Sequence, residues 1–233
     1  MCGIAGLIVR QSESLGSDLI NMLKELVHRG RDATGVALYE IRDDVQARVT
    51  MLDPAFEKDL LEVIQQFGGV KNSKTYKGGG IFTFFEASID MDPAQVIDLH
   101  RAIDANENLC VHSLGKQLKV YKEQGSVQDL PAAHPIKVGT CTHGIGHVRL
   151  ATESVENINF AHPFVSYLYP ELSLVHNGQF TNYFNMRRKL ENLGIRFKTA
   201  NDTEMAAHFI AYEMKEKGKD MEAALNAALD AFD

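Results

Sequence analysis

The chain is poor in cysteine, in excess positive charge and in long apolar runs, and each shortage removes a class of function. Cys2, Cys110 and Cys141 are the only cysteines, an odd number scattered over 233 residues. They lack the spacing of a zinc site, an iron–sulfur cluster or a disulfide framework, which favours a reducing, cytoplasmic setting. Lysine and arginine number 24 against 31 aspartates and glutamates, a net charge of −7, so there is no basic footprint for nucleic acid. No apolar run approaches the roughly 20 residues of a membrane span, and the N-terminus lacks a signal-peptide pattern. Dinucleotide-binding and phosphate-loop signatures are missing too. Lys77-Gly78-Gly79-Gly80 lacks the Gly-Lys-Ser/Thr ending and precedes a strand pattern, so it reads as a turn. No cofactor is implied.

What is there is an ordinary globular composition, 45% hydrophobic and 24% charged, sized for one large domain or a domain carrying an insertion. The notable stretch is the start, Met1-Cys2-Gly3-Ile4-Ala5-Gly6. Removal of the initiator methionine, which a small second side chain permits, leaves a thiol and a free α-amine on one residue. Nucleophile and base then need no other group. From position alone, the commoner reading is an ordinary near-terminal cysteine. The flanking glycines and the apolar run after them suggest a buried strand over 3–9 with room for a ligand against its backbone.

Along the chain, the apolar spacing predicts a helix over 17–28, capped by Ser17 and ended by Gly30, and a buried strand over 36–41. Between them lies the polar turn His28-Arg29-Gly30-Arg31-Asp32-Ala33-Thr34-Gly35. Residues 42–142 read as an inserted α/β segment, with helices over 54–67 and 93–106, each with proline in its first turn, and strands over 81–89 and 118–121. A strand over 142–152 carries His143, His147 and Arg149. The glycines there argue against a helix that would place the two histidines on one metal, so no metal site is expected. Arg149 sits among apolar neighbours and needs a carboxylate, from the chain or from a ligand. A strand over 172–180 ends in Asn177-Gly178, two neighbouring donors that could hold an oxyanion; Asn-Gly is equally a hairpin turn. Helices over 181–193, 201–217 and 220–232 close the chain, with Asp202 or its neighbour capping the second.

Taken together, Cys-Gly-Ile-x-Gly at the start, Arg-Gly-x-Asp-x-x-Gly at 29–35, Gly-His-x-Arg-x-Ala-Thr at 146–152, His-Pro-Phe at 162–164, His-Asn-Gly at 176–178 and Asn-Asp-Thr-Glu at 201–204 carry a resemblance. The set resembles the glutaminase domain of class II glutamine amidotransferases, members of the N-terminal-nucleophile hydrolases. The stretch from His176 to Glu204 is most similar to stand-alone amidotransferase subunits of glutamate synthase and N-methylglutamate synthase. The resemblance implies a four-layer αββα sandwich and release of ammonia from glutamine to a partner synthase. It implies Cys2 as nucleophile, Asn177 and Gly178 as oxyanion donors, Arg149 and Thr152 on the substrate carboxylate and Asp202 on its ammonium. Arg29 matches an arginine near the nucleophile.

The chain departs from the family where Arg31 replaces a common proline and where the sequence stops after a final helix, short of strands that the fold is expected to include. Two other readings stand beside the main one: an N-terminal-cysteine hydrolase of a different amide, and a catalytically silent interaction module of the same fold.

Overall fold

The computed structural model describes residues 2–136, 139–150 and 158–233. Its first sheet is antiparallel and runs β1 (Gly3–Ser12), β8 (Cys141–Arg149), β2 (Ala33–Glu40), β7 (Leu118–Gln124) in spatial order. In β2 every residue is buried, because strands flank it on both sides and both faces are covered. At the edge, β1 instead alternates, turning Ala5 inward and Ile4 and Gly6 outward. Helix α1 (Leu15–Glu25) lays Leu15, Leu19 and Leu23 on Val36, Leu38 and Val148. Each of these leucines is fully buried and contributes roughly 2 kcal/mol through removal from water.

The second sheet runs β4 (Gly68–Lys77), β5 (Thr83–Met91), β3 (Val45–Met51), β6 (Leu109–Gly115). Its outer face presents Val45, Ala47, Val49 and Met51 to α2 (Glu57–Gln65) and α3 (Val96–Asp104). Asp53 and Asp92 accept from Ala55 N and Ala94 N ahead of the prolines that open these segments. Residues 42–142 therefore supply the whole second sheet, its helices and one strand of the first. The tight β6–β7 connection joins the sheets, and Glu171 accepts from the amides of Lys116, Gln117 and Leu118 to hold it.

A polar seam lies between the sheets. Arg48, 1% exposed, pairs with Glu86, donates to Tyr76 Oη at 3.0 Å and stands 4.1 Å over the Tyr121 ring. Beyond the first sheet lies a third layer, the hairpin β9 (Phe164–Ser166) and β10 (Tyr169–Leu174), backed by α5 (Tyr183–Asn192), α6 (Asp202–Lys215) and α7 (Met221–Ala231). Val165 packs on Ala37, Tyr39 and Val120 of the first sheet. Helices thus lie outside and sheets inside, the αββα arrangement of N-terminal-nucleophile hydrolases. Among the described residues no helix is long and apolar enough to cross a membrane.

Several boundaries differ from expectation. Helix α1 begins at Leu15 rather than 17; Ser17 donates to Ser14 O instead of capping, because the chain turns at Ser12 and Ser14. Strands β3, β4 and β6 were not foreseen, since β4 is polar and exposed along most of its length and carries no alternation to read. Strand β10 stops at Leu174, and no strand follows Asn177-Gly178, so this pair is not a hairpin turn.

Candidate active site

Cys2 stands at the head of β1, and three other elements converge on it. The turn after α1 brings Arg29, whose Nε donates to Cys2 O at 3.1 Å. The segment after β10 brings Asn177, whose Nδ2 donates to the same oxygen at 2.9 Å. The end of β8 brings Leu150, whose backbone N lies 3.4 Å from Cys2 Sγ. The carbonyl of the first described residue is thereby pinned by two side chains and its sulfur by a backbone amide. Cys2 itself is half-buried and opens onto a cleft of about 780 Å³ lined by Arg149, His162, Asn177, Gly178, Asp202 and Thr203 among others.

Two glycines make the convergence possible. A Cβ on Gly30 would lie 2.5 Å from the carbonyl carbon of Arg149, so only glycine lets the turn close on the end of β8, where Asp32 N donates to Arg149 O at 3.0 Å. A Cβ on Gly35 would collide with the carbonyl oxygen of His162, so its absence lets the 162–164 segment settle on the sheet beside the cleft. Gly3 has a different reason from the one its sequence suggests. A Cβ there would lie 2.9 Å from Val148 Cγ2 and 3.0 Å from Leu26 Cβ, so its bareness serves packing of the strand and not a ligand.

Asp202 opens α6, but the cap is Asn201, whose Oδ1 accepts from Thr203 N at 2.8 Å. Asp202 is left to face the cleft, where its Oδ2 accepts from Phe180 N at 3.1 Å. Arg149 is 7% exposed and lines the same cleft. A buried guanidinium and a half-buried carboxylate thus share one space with the thiol, a layout suited to a zwitterion with a reactive group one side chain away. The Asn177 amide is aimed at Cys2 O, so its nitrogen holds the cysteine main chain and is not pointed at open space. Gly178 is exposed on the cleft wall. Thr152 falls outside the described residues.

His162 and His176 line the cleft, and His147 lies against His162 beneath it. His147 and His162 lie with ring centroids 4.2 Å apart, and His162 Nε2 bonds Thr203 Oγ1 at 2.8 Å. Burial pushes the His147 imidazole down to about 4 and His162 well below the usual range, so both are neutral at pH 7. His176 stacks on Phe180 with centroids 4.4 Å apart. His143 is elsewhere, stacked on Tyr39 and bonded to Thr142 Oγ1, so β8 does not bring it and His147 to one ligand. Among the described residues no group of three or more His, Cys, Asp or Glu is arranged to hold a metal. The repeated appearance of histidine in short motifs with glycine, proline or asparagine was the signal that could have marked these histidines.

Comparison with known proteins gives the family. The family described as glutamine amidotransferase domain matches residues 147–227, the stretch that carries Arg149, Asn177 and Asp202. The chain is 35% identical, over all of its length and 76% of the relative's, to the glutamine amidotransferase-like protein GlxB of Rhizobium meliloti. It is 32% identical to a putative glutamine amidotransferase of Methanothermobacter thermautotrophicus, covering 79% of that protein. Among solved structures it superposes on one titled the allosteric regulatory enzyme of purine biosynthesis with a TM-score of 0.57 at 16% identity. That likeness covers 98% of this chain and 33% of the other, so the chain spans a third of that protein's length.

Proposed function

The chain belongs to the glutamine amidotransferase family, as a domain of the class II type, and from that premise we propose that it hydrolyses glutamine with Cys2 as nucleophile and passes the ammonia to a synthase. In this reading the α-amine freed by removal of Met1 takes the thiol proton as Sγ attacks the side-chain amide carbon. The tetrahedral oxyanion forms beside Gly178, whose exposed position suits a backbone donor, with Asn177 keeping Cys2 in register. The protonated amine returns its proton to the departing nitrogen, ammonia leaves and a thioester remains. Water then attacks the thioester, giving glutamate and restoring the thiol.

Substrate orientation is assigned to Arg149 and Thr152 for the α-carboxylate and to Asp202 for the α-ammonium. Arg29 holds the Cys2 main chain. The single observation that carries the proposal is that Cys2, Arg149 and Asp202, far apart in sequence, line one cleft. Neutral His147 and His162 beneath it suit release of uncharged ammonia, because they add no proton source at pH 7. A synthase related to glutamate synthase is the acceptor we propose, in the cytoplasm.

Intact-mass analysis before and after treatment with a glutamine-like electrophile tests the chemistry. Loss of Met1 and a single adduct on Cys2 is the expected result. An active preparation that retains Met1, or labelling at Cys110 or Cys141, would contradict it.

A further inference from the structure

A second cavity lies apart from the Cys2 cleft, between β6, the β9 segment and the loop that leads into α6. Its inner part, about 50 Å³, is lined by Cys110, His112, Lys122, Asn159, Phe164 and Glu204. It shares His100, Asp104, Tyr167, Arg196 and Lys198 with an outer hollow of about 350 Å³. Space for a water is on the order of 10–15 Å³ on the same measure, so the inner part has room for a few waters or one small polar group.

Lys122 is the feature that no structural role absorbs. It is 5% exposed, and its ammonium stands 4.8 Å from the Phe164 ring centroid; among the described residues it forms no ion pair. A buried, unpaired ammonium is costly, and burial lowers its affinity for the proton to a pKa of about 8. The neighbouring carboxylates have nearer cationic or hydrogen-bonding partners, although Asp104 Oδ1 accepts no hydrogen bond among the described residues. Glu204 accepts from Lys198 N, Thr199 N and Thr199 Oγ1 at 2.5–2.8 Å, and Asp104 lies 3.2 Å from His100 and 3.5 Å from Lys198. His112 is pushed well below the usual range by burial and by Lys122 and Arg48, so it brings no second charge. Among the described residues no carboxylate forms an ion pair with Lys122, and the exposed Arg196 at the mouth favours entry of an anion.

We propose that this cavity binds a small oxyanion, the carboxylate or phosphate end of a metabolite, on Lys122, and that its occupancy is felt at the Cys2 cleft through the first turn of α6. The linkage follows from that turn. Asp202 and Thr203 line the cleft, while Glu204 and His208, on the same helix, line the second cavity. A displacement of Glu204 by an arriving anion moves Asp202 with it, since successive residues of a helix shift as one body.

Isothermal titration calorimetry with acetate, succinate and inorganic phosphate, on the wild-type chain, Lys122→Met and Arg196→Ala, tests the site. Saturable binding of at least one anion, weakened tenfold or more in Lys122→Met and a few-fold in the surface variant Arg196→Ala, is expected; acetate against phosphate tells the head group. No saturable binding, or equal binding in Lys122→Met and wild type, overturns the proposal. If Lys122→Met does not fold, as judged by circular dichroism, Arg196→Ala decides. The linkage is read by the rate of Cys2 alkylation with iodoacetamide, which needs no assumption about the reaction run at Cys2. A twofold or larger change on saturation with the anion, absent in Lys122→Met, supports it, and an unchanged rate overturns it.

Discussion

Between the two four-stranded sheets, Arg48, Glu86, Tyr76, His134 and Glu123 fill one another's bonding capacity. Tyr76 donates to Glu86 at 2.7 Å, His134 Nε2 bonds Lys122 O at 2.8 Å, and Glu123 accepts from Gly79 N and Gln124 N. In the Cys2 cleft the same residue types are left with capacity to spare. His162 Nδ1 and His176 Nδ1 have no partner among the described residues, and both histidines line a space of about 780 Å³. Even in the seam the match is incomplete, since Arg48 Nε and Tyr121 Oη are unpaired. The lesson is that burial of polar groups alone does not mark a site. A structural cluster closes on itself, whereas a binding cluster leaves its unsatisfied atoms around room for a ligand.

The comparison is broken most severely at Cys2. Cys2→Ser should keep the fold, by circular dichroism and melting temperature, and lose glutaminase turnover by about 10⁴-fold or more. Turnover close to wild type would remove the cleft's claim to chemistry.

In the seam the opposite pattern is expected. Arg48→Met leaves the buried Glu86 to Tyr76 Oη at 2.7 Å, Lys74 at 2.9 Å and Lys119 at 3.7 Å, without its closest cation. Stability in urea should fall by about 3–5 kcal/mol, while the kcat of the folded fraction stays within about twofold of wild type. A large kcat defect with unchanged stability would reverse the roles of the two regions.

The pH dependence separates them next. The folded-state pKa of His147, about 4, lies below its ordinary value of 6.5, so the unfolded chain takes up a proton that the folded chain refuses. The stability due to its neutral burial is complete above about pH 6.5 and is lost as pH falls toward 4. Across that window the loss is about 3 kcal/mol, from a constant of about 1.4 kcal/mol per pH unit. Urea unfolding at pH 7 and 4.5 should show it, and His147→Phe should flatten the difference; an unchanged slope in that variant would place the acid sensitivity elsewhere.

The smallest effect is expected at the cleft rim. Asp202→Asn should raise the KM for glutamine about 10–100-fold, roughly 1–3 kcal/mol, by removing the charge opposite an ammonium. Its melting temperature should barely move, because Asn201 and not Asp202 caps α6. A fall of several degrees with unaltered KM would return Asp202 to a capping role.

Legibility in the sequence followed how local each cause was. Helices α2, α3, α5, α6 and α7 were readable because their aliphatic spacing, their prolines near the N-terminus and Gly194 at φ +83° act within a few residues. Strand β4 was not, since its residues are polar and its place is fixed by pairing with β5. The residues that gather at the candidate cleft stand out in the sequence one by one, through glycine-bearing motifs around Cys2, Arg29, Arg149 and Asn177 and through the Asn-Asp-Thr-Glu run at Asp202. Their functions within it stand out less. The motif of Asn177 suggests an oxyanion donor, while in the fold its amide bonds the Cys2 carbonyl; Gly3 suggests room for a ligand, while in the fold it packs on Val148 and Leu26.

The sequence by itself determined the family, the layered fold class and which side chains carry reactive or charged groups, because these are written in short motifs and local periodicity. Tertiary structure alone decided that Gly30 and Gly35 draw the turn after α1 and the 162–164 segment onto the sheet, and that Asn201 frees Asp202. It also left Lys122 buried, with no ion pair among the described residues. The physical reason is that burial and bond partnering belong to atoms distant along the chain, and no run of residues states which of them will meet.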